Sequence, residues 1–250
     1  MLDRNAIIGK LAEALSPLAY VYAFWEGGAA AFDRCDRWSD IDLYADVEDN
    51  RTQDVIPVIE AALGALSRIE LKYMPPVPAP GNYVHLVFRL EGTGRCLLID
   101  LAVIKHSSPD KFLEPEIHGQ SRFIFNKGGA IKCPPADRAK LAADMKVTLA
   151  QTRLRFDLLS CFVEKEIARG NYIEALDIYK RLILGSLVEA LRAKHDPLRY
   201  NFGPRYLRYH LPPEAVARLQ ELYFVKDPKD LEEKYAQAEA WFRSTLSDLK

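Results

Sequence analysis

Two short motifs near the N-terminus contain the residue types that phosphate chemistry uses. Asp40 and Asp42 are separated by one apolar residue, so in a strand both carboxylates would point to the same face. Two like charges on one face repel each other unless a cation lies between them, and carboxylate oxygens suit Mg²⁺. Gly27 and Gly28 follow an apolar segment and would let backbone N–H groups approach a phosphate. The combination predicts phosphoryl or nucleotidyl transfer.

A third carboxylate lies at the centre of an apolar run. Asp100 is surrounded by leucine, isoleucine, alanine and valine in residues 95–104. A carboxylate in a buried strand is costly unless it is paired or bound to a metal ion. The alternative is that Asp100 lies at a strand end and faces solvent or an arginine. Together with Asp40 and Asp42, the metal interpretation is favoured.

The order of these motifs resembles a known family. A Gly-Gly pair, a short spacer, Asp-hydrophobic-Asp and a later isolated strand Asp look like the nucleotidyltransferase superfamily of DNA polymerase β. Within it, the pattern is similar to the antibiotic nucleotidyltransferases that act on aminoglycosides and lincosamides. The resemblance covers residues 1–105. It implies that Asp40 and Asp42 bind two catalytic Mg²⁺ ions, that Asp100 binds one of them, and that Gly27 and Gly28 contact the triphosphate.

One residue departs from the pattern of that family. Many members have Gly-Ser where this chain has Gly27-Gly28, and the serine hydroxyl contacts a phosphate. Here that contact must come from the backbone or from Ser39. The resemblance further implies a nucleoside triphosphate as co-substrate, for which we expect ATP. It also implies a small hydroxyl-bearing acceptor, such as an aminoglycoside-like antibiotic.

Two other functions are compatible with the same motifs. The acceptor could be a protein side chain, as in the protein-modifying (AMPylating) nucleotidyltransferases of toxin–antitoxin pairs. Those enzymes are usually one small domain, whereas this chain has a large helical half. The chain could also be a non-catalytic nucleotide-binding module, but the presence of all three carboxylates argues against a decayed site.

Composition indicates which partners the protein can bind and in which cell compartment we expect it. The 34 basic and 35 acidic residues nearly cancel, so we expect no electrostatic binding to a nucleic acid polymer. The four cysteines are dispersed, which favours reduced thiols over zinc ligands or disulfides. His85 and His118 lack metal-ligand spacing and are given no functional role. No signal core or membrane-length apolar run is present, so we expect a cytoplasmic protein without a membrane partner. A monomer and a homodimer are both compatible with the sequence.

Hydrophobic periodicity predicts an α+β fold, with a mixed sheet and helices in an N-terminal domain (residues 1–134) and an all-α bundle in residues 135–250. The predicted helices of the first domain are 2–15 and 54–66, and its predicted strands are 18–25, 39–47, 69–73, 83–90, 95–104 and one strand or hairpin in 121–132. A proline-rich turn is predicted over 75–80, and Gly92-Thr93-Gly94 predicts a hairpin.

The C-terminal part is predicted to contain four helices. One long helix over 137–169 is expected to end at Gly170-Asn171, and the others are expected over 172–195, 214–224 and 231–249. This is typical of an antiparallel bundle. By resemblance to the antibiotic-modifying enzymes, the helical domain would bind the acceptor, which in those enzymes lies between the two domains.

Glu166 is the candidate general base. On a helical wheel it falls in the middle of an apolar face, whereas Glu164 falls on the opposite side. The other members of that face are Leu158, Leu159, Phe162 and Val163. Burial there would raise the pKa of Glu166 and suit it to accept a proton. The alternative is a structural ion pair, for example with Arg155.

Overall fold

The structure, a computed structural model, describes residues 2–75 and 83–249. The chain divides into two compact units, Met1–Ala136 and Asp137–Lys250. The first unit contains a six-stranded sheet with helices, and the second contains only helices among its described residues. The predicted α+β class, with a sheet followed by a helical region, is confirmed.

The sheet of the first unit is mixed. Its strands are β1 (Val21–Glu26), β2 (Ile41–Val47), β3 (Ile69–Tyr73), β4 (Tyr83–Leu90), β5 (Ile99–Lys105) and β6 (Arg122–Asn126). Their order across the sheet is β3-β4-β5-β2-β1-β6. Only β2 and β5 run parallel to each other; every other described pair is antiparallel. The predicted proline-rich turn after β3 extends beyond Pro75 into residues outside the described part.

Two helices cover one face of this sheet. Helix α1 (Arg4–Leu15) begins after Asp3, whose side chain accepts a hydrogen bond from the Ala6 N–H at 2.8 Å. The short α2 (Gly28–Ala31) follows β1, and α3 (Val55–Leu66) packs beside α1. Apolar side chains of α1 and α3 form one core with alternate residues of the strands: Ile7, Leu11, Leu15, Val55, Ile59, Leu63, Ile41, Leu43, Leu86, Phe88, Leu101 and Val103.

The opposite face of the sheet carries a second, smaller core rich in aromatic rings. The Trp25 and Tyr44 rings are stacked at 5.5 Å between centroids, with Phe123 and Phe112 beside them. The segment that contains Phe112 and Leu113 continues into helix α4 (Pro115–His118). Because strand side chains alternate, Asp42, Asp100 and His85 belong to this face and not to the face of α1 and α3.

The last strand of the sheet is a single strand and not a hairpin. β6 pairs with β1 and is followed by a 3₁₀ turn, Lys127–Gly129. Gly128 and Gly129 both have positive φ, and the Asn126 side chain closes the turn through hydrogen bonds to the backbone of Ile131. The hairpin alternative for this segment is therefore wrong.

The helical unit differs from the prediction at its first helix. Helix α5 (Arg138–Leu159) is separated from α6 (Cys161–Ala168) at Ser160, so the single helix predicted over 137–169 is wrong. The Val163 N–H donates to the Ser160 carbonyl at 3.1 Å, an i−3 bond that interrupts the i−4 pattern. Gly170, with φ 76°, ends α6 as predicted.

The remaining helices match the predicted segments with local differences. The segment predicted as one helix over 172–195 consists of α7 (Tyr172–Ile178), a π-helical turn (Tyr179–Leu184) and α8 (Gly185–His195). The irregular stretch that follows contains the short α9 (Leu207–His210). Helices α10 (Pro213–Tyr223) and α11 (Pro228–Asp248) complete the unit. Its core includes a stacked pair, Phe156 and Phe242, at 4.2 Å between ring centroids.

None of the helices in residues 2–75 and 83–249 combines the length and the apolar character needed to cross a membrane.

Candidate active site

Two of the three predicted carboxylates lie side by side on neighbouring strands. Asp42 of β2 is the direct register partner of Asp100 of β5, and these two strands run parallel to each other. Neighbouring strands are about 4.8 Å apart, so the two side chains emerge from the same face close together. Both residues are half-buried. The two acids that the fold brings together, Asp42 and Asp100, therefore come from two different strands.

Asp40 is held through its backbone. It lies one residue before β2, so strand alternation does not determine where its side chain points. Its carbonyl accepts a hydrogen bond from the Arg4 guanidinium at 2.5 Å, and Arg4 also donates to Glu26 at 2.8 Å. Arg4 thereby ties the start of α1 and the end of β1 to the entrance of β2. Sequence reasoning missed this residue because nothing in the local pattern links position 4 to position 40.

The glycine turn packs directly against Asp42. The Gly27 N–H donates to the Asp42 carbonyl at 3.0 Å, so this N–H is used by the fold in the present conformation. Gly28 has φ 54°, a conformation that favours glycine, and a Cβ atom there would overlap the Asp42 carboxylate. A Cβ atom on Gly27 would lie 2.7 Å from the Tyr44 ring. Only a Gly-Gly turn can approach these two side chains this closely.

Ser39 lies in the turn that precedes β2. Its hydroxyl accepts from the Asp36 N–H at 2.9 Å and donates to the Asp36 carboxylate at 3.1 Å. The hydroxyl therefore closes the turn, and its contact with a phosphate stays a prediction.

His85 is a neighbour of the site that sequence reasoning did not recognise. Its Nε2 atom lies 2.7 Å from Oδ1 of Asp100. β4 and β5 are antiparallel, with His85 opposite Ala102, which places His85 diagonally next to Asp100 on the same face. The spacing of histidines along the chain could not reveal this contact. The alternation of β4, combined with the hairpin signal, could have done so.

The donor set fits Mg²⁺ with few protein ligands. Among residues 2–75 and 83–249, no three His, Cys, Asp or Glu side chains converge closely enough to hold a metal ion. Mg²⁺ is commonly held by one or two carboxylates, with phosphate oxygens and water completing an octahedron. Asp42 and Asp100 supply two carboxylates with hard oxygen donors. The backbone at Gly28 lies so close to the Asp42 carboxylate that a side chain at position 28 would overlap it. Asp40 as an additional ligand stays a prediction.

Glu166 is buried, but its surroundings differ from the prediction. It accepts hydrogen bonds from Asn171 at 2.7 Å and from Arg169 at 2.6 Å, which ties the end of α6 to the turn that follows. The bond from Asn171, with further help from Arg169, lowers the pKa of Glu166 against the opposing effect of burial. The predicted rise in pKa is wrong, and Arg169 takes the place suggested for Arg155. The role of general base stays a prediction.

The predicted apolar face around Glu166 is only partly buried. Val163 is inside the core of the unit, whereas Leu158 is 64% exposed, and Leu159 and Phe162 are also exposed. The break at Ser160 separates Leu158 and Leu159 from the helix of Glu166, whereas Phe162 lies in that same helix and is exposed there.

Among known proteins, the chain has distant structural likenesses. The chain aligns with the crystal structure of an aminoglycoside 6-adenyltransferase from Bacillus subtilis, over 98% of this chain and 89% of that chain. The TM-score is 0.35 and the sequence identity is 12%. A scan against protein-family models found no match, and a search of curated proteins found none either.

Proposed function

We propose that this protein is a Mg²⁺-dependent nucleotidyltransferase. It would move a nucleoside monophosphate from a nucleoside triphosphate, by our proposal ATP, to a hydroxyl of a small acceptor such as an aminoglycoside-like antibiotic. The observation that carries the proposal is the packing of the Gly27-Gly28 turn on Asp42, which is itself in register with Asp100. This chemistry requires a phosphate-binding turn next to metal-binding carboxylates, and the adjacency of the glycine turn to Asp42 and Asp100 supports the proposal.

The residues of the chain have separate tasks in this reaction. Asp42 and Asp100 would hold the metal ions, together with Asp40, and the backbone of the glycine turn would hold the triphosphate. A bound Mg²⁺ would supply charge neutralisation to the phosphates. Arg4 fixes the backbone of Asp40, and His85 contacts the Asp100 carboxylate, so both stabilise the geometry of the carboxylates.

The transfer itself exchanges a phosphoanhydride bond for a phosphodiester bond. The acceptor oxygen would form a bond to the α-phosphorus, the bond from that phosphorus to the leaving pyrophosphate would break, and the proton of the acceptor hydroxyl would pass to a base, for which Glu166 is the candidate. Because the pKa of Glu166 is lowered, its carboxylate is a weaker base than predicted from the sequence. Acceptor contacts are assigned by this proposal to the helical region, residues 135–250.

The proposal is tested by incubating the protein with each nucleoside triphosphate, Mg²⁺ and a panel of aminoglycosides and other polyhydroxyl compounds. Pyrophosphate release and an acceptor adduct of increased mass are the expected products. Asp42→Asn and Asp100→Asn should abolish both, whereas Asp110→Asn, at an exposed position after β5, should retain them. Binding of a nucleotide without any transfer, across the whole panel, would instead favour a non-catalytic module.

A further inference from the structure

The helical unit contains a cavity to which the proposed reaction assigns no particular role. It has a volume of about 440 Å³ and lies between the segment around α9 and one side of α10. Four aromatic rings line it, from Tyr206, Tyr209, Tyr223 and Phe224. Phe224 is 75% exposed, and Tyr206 and Tyr209 are each more than 40% exposed. Exposed aromatic rings that converge on one concavity are typical of a ligand site.

The rim of this cavity is positively charged. The Arg208 guanidinium lies over the Tyr209 ring at 4.6 Å from its centroid, and Arg205 lies 5.4 Å from the centroid of the Tyr206 ring. Stacking on the Tyr209 ring holds the Arg208 cation at the cavity, which Arg208 lines and Arg205 does not. Among the described residues that line the cavity, none is acidic, and Gln220 supplies the one neutral amide. This charge favours an anionic ligand and disfavours a polycation.

The rim is rigidly supported from within the unit. Tyr206 has φ 57°, a conformation that is strained for a residue with a side chain. Arg192 is fully buried and donates to the carbonyls of Gly203, at 2.6 Å, and of Arg205. It also pairs with Asp196 at 3.4 Å. The backbone on the N-terminal side of Tyr206 is therefore fixed by a buried cation, which keeps the rim in place before any ligand arrives.

The opposite wall is anchored as well. The Tyr179 hydroxyl donates to the Leu222 carbonyl at 3.0 Å, and Lys234 donates to the Phe224 carbonyl at 2.5 Å. These bonds hold the end of α10 and the exposed Phe224 ring beside the cavity. The two walls thus present flat rings at positions that the fold determines.

We propose that this cavity is a binding site for a small planar aromatic anion, an aromatic ring that carries a carboxylate. The ring would stack against Tyr209 and Phe224, and the carboxylate would pair with Arg208 at the rim. The proposal does not rest on nucleotidyl transfer, because every residue it uses belongs to the helical unit and its test measures binding alone.

The test uses 2-naphthoate as the probe, titrated into the full-length protein and followed by calorimetry and by saturation-transfer NMR. We expect saturable binding with one site per chain. The neutral 2-naphthamide should bind about tenfold more weakly because it lacks the charge, and cyclohexanecarboxylate about tenfold more weakly because it lacks the aromatic face. Equal binding of the naphthoate and the amide would overturn the assignment of an anionic ligand.

Variants locate the site. Arg208→Gln should weaken 2-naphthoate about tenfold and leave 2-naphthamide unchanged, whereas Phe224→Ala should weaken both probes. Arg218→Gln is the matched control because Arg218 also lies on an aromatic ring, that of Trp241 at 4.1 Å, but does not line the cavity. Thermal unfolding of each variant checks that the helical unit is intact. No saturable binding, or equal losses in Arg208→Gln and Arg218→Gln, would refute the proposal.

Discussion

Replacement of Gly28 by alanine tests whether the glycine turn and the Asp42 carboxylate form one site. The substitution adds a single methyl group at a residue with φ 54°, where that methyl group would overlap the Asp42 carboxylate. An alanine with left-handed dihedrals costs about 1–2 kcal/mol. Relief of the overlap requires the Asp42 side chain to leave its present position, and an off-rotamer side chain costs about 1 kcal/mol more. We therefore expect Gly28→Ala to lower the free energy of unfolding by about 2–3 kcal/mol.

The effect on transfer should be larger than the effect on stability. A displacement of a positioned group by about 1 Å can reduce turnover about 10²-fold, because the reacting atoms lose their alignment. Gly128→Ala is the matched control, since Gly128 has a nearly equal φ of 58° but no atom within 4 Å of an added Cβ. That control should show only the dihedral cost of about 1–2 kcal/mol and normal turnover.

The measurements are urea unfolding and steady-state pyrophosphate release for both variants and the parent. If Gly28→Ala and Gly128→Ala lose the same stability, and Gly28→Ala turns over like the parent, the turn does not pack on a functional Asp42. The overlap at Gly28 would then be a packing feature without a role in the reaction.

Three further substitutions address the acids. Asp42→Asn should abolish transfer while leaving the urea midpoint equal or higher, because repulsion with Asp100 is relieved; near-normal turnover would contradict the assignment. Asp100→Asn should lower kcat by orders of magnitude with little change in the urea midpoint, whereas intact specific activity with a collapsed midpoint would indicate a structural role. Folding lowers the pKa of Glu166 from its ordinary value of 4.5. The ionised carboxylate therefore stabilises the fold at pH values above 4.5, and this stabilisation is lost as the pH falls through the lowered pKa. In Glu166→Gln, the free energy of unfolding should therefore fall less steeply as the pH is lowered, whereas Glu164→Gln should behave like the parent. Equal pH dependence of the two variants would contradict the ion pair of Glu166 with Arg169.

The sequence predicted the parts of the site that depend on local pattern. Alternation along β2 correctly places Ile41 and Leu43 in the core and Asp42 on the other face. Local composition also predicts the Gly-Gly turn after an apolar segment. These features follow from the period of a strand and from the conformational freedom of glycine, and both are readable in a window of a few residues.

Contacts between distant residues could not be read in the same way. The register of β2 against β5 sets Asp42 beside Asp100, and no local signal specifies a parallel register across a long connection. The contact of His85 with Asp100 depends instead on the register of β4 against β5, for which the chain does carry a hairpin signal between the two strands. The break at Ser160 could not be predicted from the sequence either. The dihedrals of that residue (φ −59°, ψ −33°) are helical, and only the hydrogen-bond pattern changes.

β2 shows how the fold distinguishes a structural acid from a candidate catalytic one. Asp46 and Asp42 lie on the same face of this strand, two alternations apart. Asp46 is fully buried and contacts both His106, at 2.6 Å, and Lys111, at 2.5 Å, which the chain after β5 brings to it. A buried carboxylate requires such compensation, because its desolvation is otherwise too costly. Asp42 is half-buried beside another carboxylate and under a glycine turn, and in the function proposed above its carboxylate would bind the Mg²⁺ of the nucleotide complex.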